Sequence, residues 1–481
     1  MKKEKSLAGN SIFYLINNVL NIAFPLVTSI YVAHVLLPDN IGEVAYAQNI
    51  AQYFVTFAFL GIPTYGMREV AKVRNNQEKL NKLYSELFTI NFISTCVFLA
   101  AYLVLVFSVE AYRTNCTVYL IAGGSIALNA MNISFLYEGL EEFKFVSVRN
   151  FIFKFVSLAL LIALVRSPGD YLNYAAITVI GTAGNYILNM IFAPRFVRLE
   201  FKGLNLKQHM RAILMLVVVN FAIEVYSLIN TTILGMLSGK ANVTFFTYGN
   251  KVYSALKVAI NSFTMVIVPR ITIHYKERNY AEFNRIIKQV LSIIILLSIP
   301  LICGIWLVGT DLVLMLFGEA YITSATVLKT LSFSLLISPV GYLLGSRIML
   351  VTGNEKKMIL PVAAGAVANV ITSFLFIGNL REQGAAIAAL ISEIVVMLIY
   401  VSYGKKYVEL SGIIKETIVV IFASIIMTIS LILLGLCHIP LLWKLALQVL
   451  SAIVVYFGVL VAVKEPITTI YLQKILANMR Q

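Results

Sequence analysis

Stretches of about 20 apolar residues recur from one end of the chain to the other, and each is long enough to cross the hydrocarbon core of a bilayer as a helix. They cover residues 8–33, 42–65, 84–107, 117–137, 149–166, 171–193, 212–237, 243–268, 289–309, 326–350, 359–378, 384–403, 417–436 and 443–463. Lipid offers a backbone amide or carbonyl no hydrogen-bond partner, so segments of this length fold as helices that satisfy themselves. Composition supports this: 59% of the 481 residues are hydrophobic and 13% are charged, where a soluble domain carries roughly 25%. The predicted class is an all-α polytopic membrane protein with 14 transmembrane helices. Segments 42–65 and 243–268 are rich in Tyr, Gln and Asn. They count as spans because without them the loops that follow would alternate wrongly.

The net charge is +15, and its distribution sets the expected orientation. Most basic residues fall in alternate loops, among them Lys2, Lys3, Lys5, Arg68, Lys72, Arg74, Arg195, Arg198, Lys356, Lys357, Lys405 and Lys406. The opposite loops carry only Arg113, Arg166, Lys240, Arg381 and Lys444. Cytoplasmic loops are the basic ones, so both termini are expected inside, with an even number of spans. This distribution also removes a nucleic-acid-binding reading, which needs the charge on one soluble face. Lys154, Lys251, Lys257, Lys329 and Arg347 remain, and these fall inside spans.

The chain reads as an internal duplication. Asn10, Tyr14, Asn17 and Asn21 in the first span share their spacing with Asn220, Glu224, Ser227 and Thr231 in the seventh. The second span opens Val44-Ala45-Tyr46-Ala47-Gln48-Asn49 and runs into Arg68, while the eighth opens Phe246-Thr247-Tyr248-Gly249-Asn250-Lys251 and runs into Arg270. The expected organisation is an N-terminal six-helix lobe over 1–193, a basic cytoplasmic linker over 194–211, a C-terminal six-helix lobe over 212–403, and two additional helices with a tail over 404–481. Two six-span copies enter the membrane from the same side, which makes a pseudo-two-fold along the membrane normal and puts the expected site near the midplane, between the copies.

Polar side chains inside spans must face protein or water. Runs spaced i, i+4, i+7, i+11 share one helix face. They occur in the first and seventh spans, in the sixth (Thr178, Thr182, Asn185, Asn189) and in the eighth (Asn250, Ser254, Lys257, Asn261). Helix-to-helix hydrogen bonding accounts for one or two such groups per helix; four in line point to a water-filled cavity. The expected cavity residues are Asn17, Asn21, Gln52, Asn220, Glu224, Asn250, Lys251, Lys257, Asn261 and Arg347. Cations there outnumber acids, which suits an anionic substrate such as a phosphate or pyrophosphate head group. Glu224 and Glu393 are the candidates for proton or sodium coupling; the alternative for each is an ion pair with one of the lysines. Pro25 and Pro339, the latter with Gly341 and Gly345, are expected flex points.

Catalytic signatures are missing. The only aspartates are Asp39, Asp170 and Asp311, and there is no HExxH or phosphate-binding GxxxxGK[ST]. Cys96, Cys116, Cys303 and Cys437 show no metal spacing. Neither a cofactor nor an enzymatic activity is expected.

Lys5-Ser6-Leu7-Ala8-Gly9-Asn10-Ser11, Gly42-Glu43-Val44-Ala45-Tyr46-Ala47, Gly61-Ile62-Pro63-Thr64-Tyr65-Gly66-Met67-Arg68-Glu69-Val70-Ala71-Lys72 and Glu138-Gly139-Leu140-Glu141-Glu142-Phe143-Lys144 together resemble the Wzx-type flippases of bacterial surface polysaccharides. These belong to the multidrug, oligosaccharidyl-lipid and polysaccharide exporter superfamily. The resemblance implies two six-helix lobes in a V with two extra helices. It also implies alternating access that carries an undecaprenyl-pyrophosphate-linked oligosaccharide across the bacterial cytoplasmic membrane. The expected partners are that lipid-linked substrate, membrane lipids and a polysaccharide polymerase complex. A drug or metabolite antiporter of the same superfamily is the rival, and predicts an acid-rich cavity. A membrane glycan polymerase or ligase predicts a long outer loop, whereas the longest here surrounds Thr310–Ala325.

Overall fold

The structure is a computed structural model and describes residue 21 and residues 24–408 and 412–469. Asn17, and with it most of the first expected span, lies outside the described residues. All regular secondary structure described is helical, and nine helices among the described residues are long and apolar enough to cross a membrane.

In chain order the first helices are α1 (Phe24–Ala33), α2 (Pro38–Phe59), α3 (Ile62–Val73), α4 (Gln77–Ser108), α5 (Glu110–Arg113), α6 (Cys116–Asn129) and α7 (Ser134–Gly139). Then come α8 (Phe143–Leu164), α9 (Tyr171–Ala183), α10 (Asn185–Phe192), α11 (Lys207–Leu237), α12 (Lys240–Val266) and α13 (Val268–Lys276). The chain continues as α14 (Tyr280–Phe317), α15 (Ser324–Ser332), α16 (Ser334–Gly341), α17 (Ile348–Val351), α18 (Ile359–Gly404), α19 (Ile413–Gly435) and α20 (Leu441–Ala462). The chain divides into two compact units between Thr244 and Phe245.

In the first unit, α2 starts at Pro38, whose missing amide costs nothing at a helix start. It ends where Leu60 and Gly61 turn left-handed, at φ 49° and 73°. Ile62-Pro63 then opens α3, so the Gly-Ile-Pro run is the turn between a span and an amphipathic helix. Gly61 is required twice over, because a Cβ there would also lie 2.6 Å from Leu216 Cβ. α3 packs on α7 through glycines: a Cβ on Gly139 would meet Val70 at 2.6 Å, and one on Gly66 would meet Phe135 at 2.7 Å. Two of the motif runs therefore build one contact, which a buried cluster including Val70, Leu87, Phe135 and Tyr137 continues.

The repeat expected from the sequence would divide the chain at 194–211, whereas packing divides it at 244–245. The difference comes from α11, which lies on α2. A Cβ on Gly235 would enter the Tyr46 ring, and one on Gly42 would overlap the Lys240 carbonyl. Lys240 Nζ sits 3.2 Å from the Tyr46 ring centroid, and Thr244 Oγ1 donates to the Pro38 carbonyl at 2.6 Å. Small residues let these helices approach closely, as lipid-embedded helices require.

In the second unit, α15, α16 and α17 form one interrupted rod. Pro339 removes a ladder amide, and a π turn follows over Tyr342–Arg347. Gly341 and Gly345 lie against Met397 and Tyr400 of α18, leaving no room for a Cβ. Their immediate role is this close contact. α18 carries a break at Arg381, with φ 50° and ψ −127°, between the expected spans 359–378 and 384–403. α19 and α20 pack on each other and dock on α14: Tyr456 Oη donates to the Leu296 carbonyl at 2.6 Å, and Lys444 Nζ lies 2.9 Å from Asp311 Oδ2. Their other faces carry exposed Ile, Leu and Val, including Ile414, Leu433 and Val454, as contact with lipid demands.

Candidate functional site

Among the described residues, a polar cluster in each unit gathers the expected cavity residues. In the first unit the stripe on α2 meets the stripe on α11. Asn49 Nδ2 donates to Thr232 Oγ1 at 2.7 Å, and Tyr53 Oη lies 2.9 Å from the same oxygen. Thr232 Oγ1 in turn donates to the Leu228 carbonyl at 3.2 Å, so its donor and both lone pairs are engaged. Further along the same two helices, the Gln52 amide and the Glu224 carboxyl group lie beside each other. Asn220 is half-buried one turn before Glu224 and on the same face. Lys154 on α8 donates to Asn21 Oδ1 at 2.5 Å, which ties an intramembrane cation to the first span's stripe.

In the second unit, Lys257 Nζ on α12 donates to Glu393 Oε1 on α18 at 2.7 Å. The two side chains are only 24% and 14% exposed, so the pair is poorly screened. Lys251 Nζ stands 5.0 Å from the Tyr248 ring centroid. Tyr248 itself packs on Phe317 and Tyr321 at 4.6 and 5.2 Å, a geometry in which aromatic faces stabilise a cation. Arg347 lies in the π turn, 5.6 Å from the Tyr342 ring, and its buried Nε has no hydrogen-bond partner. Asn250 and Asn261 are half-buried on α12, and Asn261 Oδ1 is likewise without a partner.

The two coupling candidates therefore stand in different surroundings. Glu393 already faces a lysine, whereas Glu224 faces a neutral amide. Of the other intramembrane cations, Lys329 donates to Thr310 Oγ1 at 2.8 Å. The sixth-span stripe is satisfied in part: its donors find partners, whereas the buried Oδ1 atoms of Asn185 and Asn189 have none. Thr178 and Thr182 donate back to the carbonyls of Tyr174 and Thr178, and Asn189 Nδ2 reaches Ser134 Oγ at 3.4 Å.

Sequence reasoning passed over three features. Thr232 carries the α2–α11 contact although its neighbour Thr231 fitted the helical spacing better. Glu86 (2% exposed) and His209 (5%) form a buried network with Tyr65. His209 Nε2 is 2.8 Å from Glu86 Oε2 and its Nδ1 is 2.8 Å from Tyr65 Oη; Gln208 Nε2 and the Asn205 amide also donate to Glu86. Arg149, 3% exposed, leaves Nε and Nη1 without hydrogen-bond partners. In the sequence it looked like one more basic loop residue.

Comparison with known proteins places the chain in a family. The profile of the family described as polysaccharide biosynthesis protein matches residues 7–274. A protein of Escherichia coli (strain K12) named as an O-antigen transporter is 23% identical over 426 residues, covering 84% of this chain and 98% of the relative. The capsular polysaccharide biosynthesis protein CapF of Staphylococcus aureus is 23% identical over 410 residues, covering 83% and 100%. Among solved structures, lipid II flippase MurJ in an inward closed conformation superposes with a TM-score of 0.77 at 15% identity, covering 97% of this chain and 100% of that one. An inward-facing multidrug resistance MATE family transporter gives a TM-score of 0.62 at 15% identity, covering 82% and 95%. At such identities these two structures bear on the fold alone.

Proposed function

We propose, from the premise that this chain belongs to the polysaccharide biosynthesis protein family, that it is a flippase for lipid-linked oligosaccharide. It moves an undecaprenyl-pyrophosphate-linked repeat unit across the bacterial cytoplasmic membrane by alternating access, for surface polysaccharide synthesis. The observation that carries this reading is the family match over 7–274, together with relatives named for O-antigen transport and capsule synthesis that align over nearly their whole length. The likeness of the fold to a lipid II flippase agrees with it.

The finer reading takes fourteen spans as two six-span copies plus α19 and α20, with both termini in the cytoplasm. Amide and hydroxyl groups at Gln52, Asn220, Asn250 and Asn261 suit sugar hydroxyls. Lys251 and Arg347, each a cation beside an aromatic ring, suit the pyrophosphate. Lys257 is set apart by Glu393. Glu224, opposite a neutral amide, is the better group to take up a coupling proton or sodium ion.

A strain lacking the protein tests the function. Lipid-linked repeat units should accumulate on the inner leaflet and surface polysaccharide should be lost; an unchanged leaflet distribution rejects the reading.

A further inference from the structure

A pocket of about 390 Å³ opens in the first unit among α2, α4, α5 and α11. Six of its walls are aromatic rings: Tyr53, Phe54, Phe57, Phe98, Tyr112 and Phe221. Phe57 packs between Phe98 and Phe221 with centroids at 5.3 and 4.5 Å. Of the three hydroxyl wall groups, Tyr53 Oη and Thr232 Oγ1 are turned toward each other and Asn49, and Tyr112 Oη meets Tyr46 Oη at 3.5 Å. The lumen therefore presents apolar surface, and apolar cavities stay dry and take apolar ligands. On the α4 side the pocket reaches Ala101, which is exposed between the exposed Val97 and Val104 on a face bearing only apolar groups. Hydrocarbon has access there. On the other side Tyr53 and Thr232 are shared with the polar cluster that continues to Gln52 and Glu224. An occupant must be apolar where it fills the pocket and polar where it leaves it.

We infer that this pocket holds the first isoprene units of the substrate's polyprenyl tail, so that tail and head are gripped on adjoining patches of α2 and α11. Methyl-branched, unsaturated units complement ring faces better than a straight saturated acyl chain, through the many small dispersion contacts that ring surfaces offer. The inference rests on the flippase reading.

The test uses the full chain in nanodiscs with a photoreactive benzophenone residue replacing Phe98, offered polyprenyl phosphate in one arm and phosphatidylglycerol in the other. Polyprenyl phosphate should label the protein and compete for labelling; phosphatidylglycerol should not compete. Ala101→Trp, filling the pocket, should cut flipping at least tenfold with the melting temperature kept. Should that variant fail to fold, Phe221→Leu, which removes a ring face of the same wall at smaller change in shape and leaves the probe at position 98, should lower labelling by polyprenyl phosphate severalfold. Equal labelling by both lipids, or wild-type flipping with the pocket filled, overturns the inference. Failure of the flippase reading shows separately: the wild type then flips no lipid-linked sugar whatever labels the pocket.

Discussion

Lys257 and Glu393 lie 136 residues apart in sequence yet meet at 2.7 Å, α12 against α18, with both side chains largely withdrawn from solvent. Removing Lys257 takes from the Glu393 carboxylate the cation it faces. Lys257→Met is expected to destabilise the protein by about 2 kcal/mol, below the ~3–5 kcal/mol of a fully buried pair because both groups keep some exposure. Lys257→Met with Glu393→Leu should recover most of that loss. Thermal denaturation of the three variants in detergent measures the coupling. If the double variant also flips substrate, Lys257 serves structure and leaves the pyrophosphate to Lys251 and Arg347.

Thr232 completes a three-bond node that joins α2 to α11. Thr232→Val keeps the shape and removes the oxygen, leaving Asn49, only 6% exposed, without its partner. The expected loss is about 1–3 kcal/mol. Thr232→Ser should retain most of the stability, and the difference in melting temperature between the two variants isolates the hydroxyl.

Close approach of α2 to α11 and the start of α12 depends on glycine. Gly42→Ala forces a methyl into the Lys240 carbonyl and Gly235→Ala forces one into the Tyr46 ring. Each is expected to cost about 1–3 kcal/mol through overpacking. Gly458→Ala on α20 meets nothing within 4 Å and should be neutral or stabilising by several tenths of a kcal/mol, since alanine favours the helix. Melting temperatures of the three single variants give the comparison.

The Glu86 carboxylate holds Asn205, Gln208 and His209 together at the start of α11. Glu86→Leu strands one buried donor, on His209, and frees the exposed Asn205 and Gln208 to water, and should cost about 1–3 kcal/mol. Glu86→Gln keeps one acceptor oxygen and should cost less. Limited proteolysis at 194–211 should accelerate for Glu86→Leu first.

The sequence carried the helical class in its apolar segments, and the α2–α3 boundary in Gly61-Ile62-Pro63. Periodicity also marked the polar faces. It did not say which faces meet, because a repeat of 3.6 residues reports direction around one helix and nothing about its neighbour. Hence Asn21 with Lys154, and which of the lysines pairs with Glu393, emerged only from the fold. The allegiance of α11 was hidden for the same reason: the expected repeat groups segments by sequence likeness, whereas packing follows the glycines at 42 and 235. Helices such as α2 and α12 fall outside the nine that are long and apolar enough to cross by composition, because the polar groups that form the clusters also lower their hydropathy. The pocket was invisible, since its rings come from four helices and each reads as ordinary core.

Reconstitution tests the central claim most directly. Purified protein is placed in vesicles carrying a polyprenyl-pyrophosphate-linked oligosaccharide, and the fraction open to an external glycan-modifying enzyme is followed with time. The account predicts that sugar from the inner leaflet becomes accessible in protein-containing vesicles, and does so more slowly with Lys251→Ala or Arg347→Ala at equal protein content. Identical accessibility with and without protein would contradict it.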